Sequence, residues 1–140
     1  MLKAPFTELP YTPTVASILA GLDVEYKDEA FKTELIKLDP SKKEDRQKII
    51  NDYIIADQSY LPYRHRFVLI KTLEEALSDN NYDFDSLFEY DYDSNNPTSS
   101  PWETSKIKTP RSFFEDIFRT ANEIWKDDLL KAASEDQSTW

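Results

Sequence analysis

The fold of this chain is decided by residues 109–125, which read TPRSFFEDIFRTANEIW. Thr109 followed by Pro110 is typical of a helix start, because threonine caps free backbone N–H groups and proline suits the first helical position. The apolar residues that follow recur at helical spacing: Phe113, Phe114, Ile117, Phe118, Ala121, Ile124 and Trp125, continued by Leu129. This spacing predicts a helix with one broad face in the core.

Four more helices are predicted before this one, from apolar periodicity and from residues that begin or end helices. The first begins at Pro13, with Thr12 as its N-cap and Gly21, the only glycine in the chain, as its C-terminal cap. The other three are expected at about 27–38, 41–58 and 62–78.

The chain has 140 residues, which is the usual size of one domain with its own core. We therefore predict a mainly α-helical single domain, 1–140, of about five helices. An extended lead-in is expected at 1–12 and a frayed tail at 134–140. The chain also lacks cysteine, a signal-peptide pattern and any long apolar run, so we expect a cytoplasmic protein.

The excess negative charge falls almost entirely in one stretch. The full sequence holds 27 acidic and 17 basic residues, for a net charge of −10. Nine of the acids, and no lysine or arginine, lie in 72–105, so the remainder is nearly balanced. Proteins bind nucleic acids and anionic membranes through their own lysine and arginine side chains. The acidic charge of this chain therefore disfavours both as partners and favours a basic protein as the partner.

The acidic aromatic segment at 79–105 is densest at 82–93, which read YDFDSLFEYDYD. Except at Ser86 and Leu87, aromatic residues hold even positions and acids hold odd ones, a pattern that predicts a short strand or hairpin with its aromatic face inward. A competing interpretation places a short helix at 86–90 with Asp85 as its N-cap. The extended form is slightly preferred.

Most catalytic chemistries lack their residues in this sequence. Without cysteine there is no thiolate nucleophile, and one glycine cannot build a phosphate-binding loop. His65 is the only histidine, lies between two arginines and is predicted to be a helix-surface or capping residue. We therefore expect a protein that is not an enzyme and that has no cofactor.

Carboxylate chemistry is the exception, because paired acids can hydrolyse glycosides or hold magnesium. A carboxylate-dependent hydrolase is thus one alternative function. Calcium is a poorer fit: Asp91, Asp93 and Asn95 match the start of an EF-hand loop, but Asn96 and Trp102 replace its glycine and its glutamate.

The basic residues concentrate on the third and fourth predicted helices and could form a second, cationic surface, or simply pair with acids on their own helices. They are Lys42, Lys43, Arg46, Lys48, Arg64, Arg66 and Lys71.

The leading functional hypothesis is an inhibitor that neutralises a basic enzyme such as a nuclease toxin, in the manner of bacterial immunity proteins. Cationic clefts attract acidic surfaces, and neighbouring aromatic side chains supply binding area. The predicted partner-binding residues are Asp83, Asp85, Glu89, Tyr90, Asp91, Tyr92 and Asp93.

The second alternative is a helical adaptor or assembly subunit whose acidic segment serves only solubility. The sequence specifies neither the partner nor the oligomeric state.

Overall fold

The computed structural model of the chain describes residues 2–22, 29–88, 107 and 109–140. Within these ranges there are six α-helices and no strand, so the predicted mainly α-helical fold is confirmed. The helices are α1 (Glu29–Ile36), α2 (Lys43–Ile49), α3 (Ala56–Gln58), α4 (Tyr63–Ser78), α5 (Pro110–Ile124) and α6 (Lys126–Ala133). The same ranges include 3-10 helices at Val15–Leu22, Asp85–Phe88 and Gln137–Thr139.

The stretch that decides the fold forms α5 and α6 rather than one helix. Pro110 is the first residue of α5, as predicted, but Thr109 has a left-handed backbone with φ of 55° and its side chain makes no capping bond. The helix breaks at Trp125, where φ is −99° and ψ is 18°. Trp125 is buried while Ile124 is 55% exposed, because the break redirects the apolar face between them.

A π-helical stretch, Ile50–Ile55, joins α2 to α3 and makes one rod of residues 43–58. The rod carries buried isoleucines on the side that meets α5 and the 3-10 helix Val15–Leu22. The rod begins at Lys43, and its N-cap, Lys42, provides no side-chain bond.

Gly21 lies where the 3-10 helix Val15–Leu22 crosses this rod. A β-carbon at this position would lie 1.9 Å from the carbonyl oxygen of Tyr53 and 2.8 Å from the β-carbon of Asp57. The predicted role as a helix C-cap is therefore wrong: no glycine here has a positive φ, and Gly21 instead permits a close backbone approach. The predicted first α-helix is replaced by the 3-10 helix, which begins at Val15 rather than at Pro13.

One cluster of buried side chains connects the described elements. Helix α4 packs against α5, α6 and the 3-10 helix Val15–Leu22, while α5 also packs against the π-helical stretch. Phe113, Phe114 and Ile117 of α5 are fully buried in this cluster. No helix in the described ranges combines the length and the apolar character needed to span a lipid bilayer.

The first residues of the chain turn back on themselves. The amide of Ala4 donates to the carbonyl of Leu9 at 2.8 Å, and that of Tyr11 donates to the carbonyl of Leu2 at 2.9 Å. Phe6, at the tip of this turn, has φ of 64° and is 98% exposed. The predicted lead-in is thus a folded-back loop over its described part, 2–12.

The last residues lie against α4. Glu135 accepts hydrogen bonds from the Tyr63 hydroxyl at 2.7 Å and from Nε of Arg64 at 2.8 Å. The Trp140 ring meets Phe67 edge-on, with centroids 5.7 Å apart. The structure therefore differs from the predicted frayed tail, because aromatic and charged groups of α4 hold residues 134–140.

Candidate protein-binding site

The described part of the acidic aromatic segment, residues 79–88, leads from α4 into a 3-10 helix, Asp85–Phe88. The strand preferred at 82–93 is therefore not formed at 85–88, where the competing helical interpretation is closer. Asp83 starts this turn, because its Oδ1 accepts from the amide of Ser86 at 3.2 Å. Local side-chain bonding of this kind favours a turn over a strand.

The three aromatic residues of the segment that the structure describes, Tyr82, Phe84 and Phe88, face inward, as the alternation predicts. Phe84 and Phe88 are buried, and their ring centroids lie 5.0 Å and 5.8 Å from that of Phe114. Tyr82 is half-buried, with its ring centroid 4.7 Å from that of Phe84. These rings fix the segment on α5, so Phe84 and Phe88 serve packing and are not available to a partner.

The described carboxylates of the segment are exposed, and two more exposed acids precede them on α4. We call the exposed acidic residues of this region the acidic ridge: Glu74, Glu75, Asp79, Asp83 and Asp85. Asp83 and Asp85 were predicted as site residues. The other predicted ones, Glu89, Tyr90, Asp91, Tyr92 and Asp93, lie outside the described residues. The structure therefore shows two of the seven as exposed carboxylates and adds three exposed acids, on α4 and at its C-cap, that the sequence did not single out.

One arginine from outside the segment reaches the ridge. Nη2 of Arg111 donates to the carbonyl oxygen of Asp79 at 2.8 Å, and Nη1 donates to that of Leu77 at 3.2 Å. Its guanidinium also lies 4.8 Å from the centroid of the Phe84 ring. Arg111 thus donates to carbonyl groups at the end of α4, which have no helical partners.

A groove of about 410 Å³ lies beside the ridge, between residues 13–15 and the last turns of α4. It is lined by Pro13, Thr14, Val15, Thr72, Glu75, Ala76, Asp79 and Tyr82. Burial, and secondarily the charge of Asp83, raises the pKa of Tyr82 above the usual range of a phenol, so its hydroxyl stays protonated. The sequence did not predict this groove, because two stretches that lie far apart in the sequence, 13–15 and 72–82, form it.

The three arginines of the expected cationic surface form ion pairs within the molecule. Arg46 is buried, donating to the carbonyl of Pro40 at 2.7 Å and pairing with Asp116 at 3.3 Å. Arg64 pairs with Glu135, and Arg66 with Asp128. Lys42, Lys43 and Lys48 are exposed, so the basic surface is smaller than the sequence indicates.

His65 is not a surface residue, contrary to the prediction. It is 9% exposed, its Nε2 lies 2.6 Å from the carbonyl oxygen of Lys3, and its ring packs against Tyr11. The carbonyl requires a hydrogen-bond donor, which assigns a proton to Nε2. His65 therefore anchors the N-terminal loop to α4.

Within the described parts of the chain, no three His, Asp or Glu side chains come together as a group that could hold a metal ion. The groove and the acidic ridge are features that suit a protein partner. Compared with protein families, with curated proteins and with solved structures, the chain matches none.

Proposed function

We propose that the protein is an acidic binding module of the cytoplasm that neutralises a basic enzyme, with a nuclease toxin as the favoured target. The observation that carries the proposal is the acidic ridge, which presents five exposed carboxylates, one of which, that of Glu74, lies 3.9 Å from Nζ of Lys71. Acids grouped in this way repel one another and reduce stability, but they attract a cationic surface and accelerate its capture.

The shape of the ridge supports the same proposal. Phe84 holds Asp83 and Asp85 on a packed base, so these carboxylates lose little conformational freedom on binding. A rigid acidic surface of this kind suits the cationic cleft in which a nuclease binds phosphate groups.

The test is association with basic proteins encoded beside the gene for this chain, measured by stopped flow at rising salt. We expect the association rate to fall by at least about tenfold between 20 and 500 mM salt, because screening weakens electrostatic steering. Asp83→Lys with Asp85→Lys, and separately Asp91→Lys with Asp93→Lys, should slow association and relieve inhibition.

Glu115→Lys with Glu123→Lys is the matched control, since both residues are exposed on α5 and the change in net charge is the same. Equal slowing by the control would mean that net charge alone governs association. A rate that is insensitive to salt would contradict the proposal.

A second candidate is a helical adaptor, and one observation favours it. Phe6, Leu9 and Tyr60 are 98%, 69% and 62% exposed. Phe6 and Tyr60 border a second groove of about 530 Å³ between the N-terminal loop and α3. Exposed apolar patches of this kind often contact other proteins. An adaptor would lose its assembly on Phe6→Ser with Leu9→Ser, and would tolerate the charge reversals at Asp83 and Asp85.

A further inference from the structure

We propose that the groove beside the acidic ridge receives one arginine side chain of a basic protein partner. This inference rests on the proposed function and names the group on the partner that the ridge would recognise. The groove is open to solvent at the ridge, and its volume of about 410 Å³ lies within the range of small-ligand sites.

The floor of the groove is apolar. Val15 and Ala76 are 3% and 6% exposed, and Pro13 lies beside them. The three methylene groups of an arginine side chain are stabilised by apolar contact of this kind while the charged end stays near water. A small inorganic cation would gain nothing from the same floor.

Two carboxylates stand at the rim. Glu75, in the last turns of α4, and Asp79, the C-cap of that helix, both line the groove. Among the described residues, no lysine or arginine nitrogen lies within 4 Å of either carboxylate. Oδ1 of Asp79 accepts from the amide of Asn81 at 2.9 Å, which orients this carboxylate.

Tyr82 provides the remaining wall. Its ring lines the groove and is held in place by Phe84. A cation over a tyrosine face gains electrostatic stabilisation from the ring. A guanidinium can stack on this ring and bind carboxylates through its planar fork, whereas an ammonium group is a point charge with a tighter hydration shell. These differences select arginine over lysine.

The test uses three small probes: the N-acetyl amides of arginine, lysine and citrulline. Citrulline has nearly the shape of arginine but no charge. Each is titrated into the ¹⁵N-labelled protein, and shifts of backbone amides are followed by NMR. We expect the arginine amide to shift the amides of Thr72, Glu75, Ala76 and Tyr82, with millimolar affinity. The citrulline amide should bind at least about tenfold more weakly, because charge-assisted hydrogen bonds are lost.

The double variant Glu75→Gln with Asp79→Asn should weaken binding of the arginine amide by about tenfold. The matched control is Asp83→Asn with Asp85→Asn, which removes the same charge from the ridge outside the groove and should change affinity less than about twofold. All four positions are exposed, so circular dichroism should show an unchanged fold.

Equal losses in the two variants, equal binding of the arginine and lysine amides, or shifts that map elsewhere would each overturn the arginine site. A different result would contradict the proposed function: an association rate with a basic protein that changes neither with salt nor with the charge reversals at Asp83 and Asp85. A groove that binds no arginine amide beside an acidic ridge that still drives association would refute this inference alone.

Discussion

Arg111 occupies a position that links the acidic ridge to the core. Its guanidinium donates to carbonyl oxygens at the end of α4 and lies over the ring of Phe84. The last turn of α4 contains no basic residue of its own, so the cation that faces its partial negative charge comes from another helix. A base brought in from α5 stabilises this end without neutralising the ridge carboxylates directly.

The first prediction at this scale concerns Arg111→Met. We expect the free energy of unfolding to fall by about 2 kcal/mol, because hydrogen bonds from a charged donor to half-buried carbonyls are lost. Urea denaturation measures the change. Arg119→Met is the control, since its side chain is 54% exposed and should contribute less than about 0.5 kcal/mol. Equal effects of the two variants would contradict a special role for Arg111.

At the scale of elements, the helices that sequence signals describe well are α4 and α5. Pro62 precedes α4 and Pro110 begins α5, and their apolar spacing identifies the buried faces. The break at Trp125 could not be predicted, because a buried tryptophan continues the apolar pattern while only the backbone departs from the helix. Gly21 was assigned to a cap for a related reason: its real constraint comes from a distant carbonyl.

The candidate site likewise has features that the sequence predicts and features that it does not. The outward carboxylates at Asp83 and Asp85 follow from the alternation of acids and aromatics, which is a local pattern. The groove does not, because Val15 and Tyr82 approach each other only through the packing of α4. The positions of Arg46 and His65 were also missed, since the sequence alone gives no sign of the carbonyls that they bind.

The C-terminal segment gives a prediction about pH. Hydrogen bonds from Arg64, and then from Tyr63, lower the pKa of Glu135. A carboxyl group with a depressed folded pKa contributes stability above its unfolded pKa of about 4.3, and loses it as pH falls through the lower folded value. We expect residues 134–140 to detach from α4 as the pH falls below about 4.

Amide exchange of residues 134–140 measures this detachment. Glu135→Gln should speed their exchange already at neutral pH and weaken the response to pH, whereas Glu123→Gln, on exposed α5 surface, should behave as the parent. Detachment with the same pH profile in Glu135→Gln and in the parent would refute the role of this carboxyl group.

At the scale of the whole molecule, the charge is divided unequally. The arginines are drawn into pairs between elements, such as Arg46 with Asp116 and Arg66 with Asp128. The acids of the ridge face solvent together, with Arg111 directed at backbone carbonyls beside them. Repulsion among these like charges therefore destabilises the folded state, and dissolved salt screens this repulsion.

The prediction that follows is a gain in stability with salt. Between 20 and 200 mM NaCl we expect the free energy of unfolding to rise by about 1 kcal/mol, measured by urea denaturation. The variant with Glu75→Gln, Asp79→Asn, Asp83→Asn and Asp85→Asn should be more stable than the parent at low salt and should respond less to salt. A loss of stability with salt would mean that ion pairs outweigh repulsion.

The contact at Gly21 also bears on ancestry. Helix faces tolerate exchange among apolar residues of similar volume, so distant descendants of one ancestor can lose recognisable similarity along α4 and α5. A backbone oxygen that leaves no room for a β-carbon permits no such exchange. Any relative that retains this crossing should keep a glycine at the position of Gly21, about 32 residues before the position of Tyr53. A glycine at that distance before an isoleucine-rich helix is therefore a feature by which a diverged relative could be recognised.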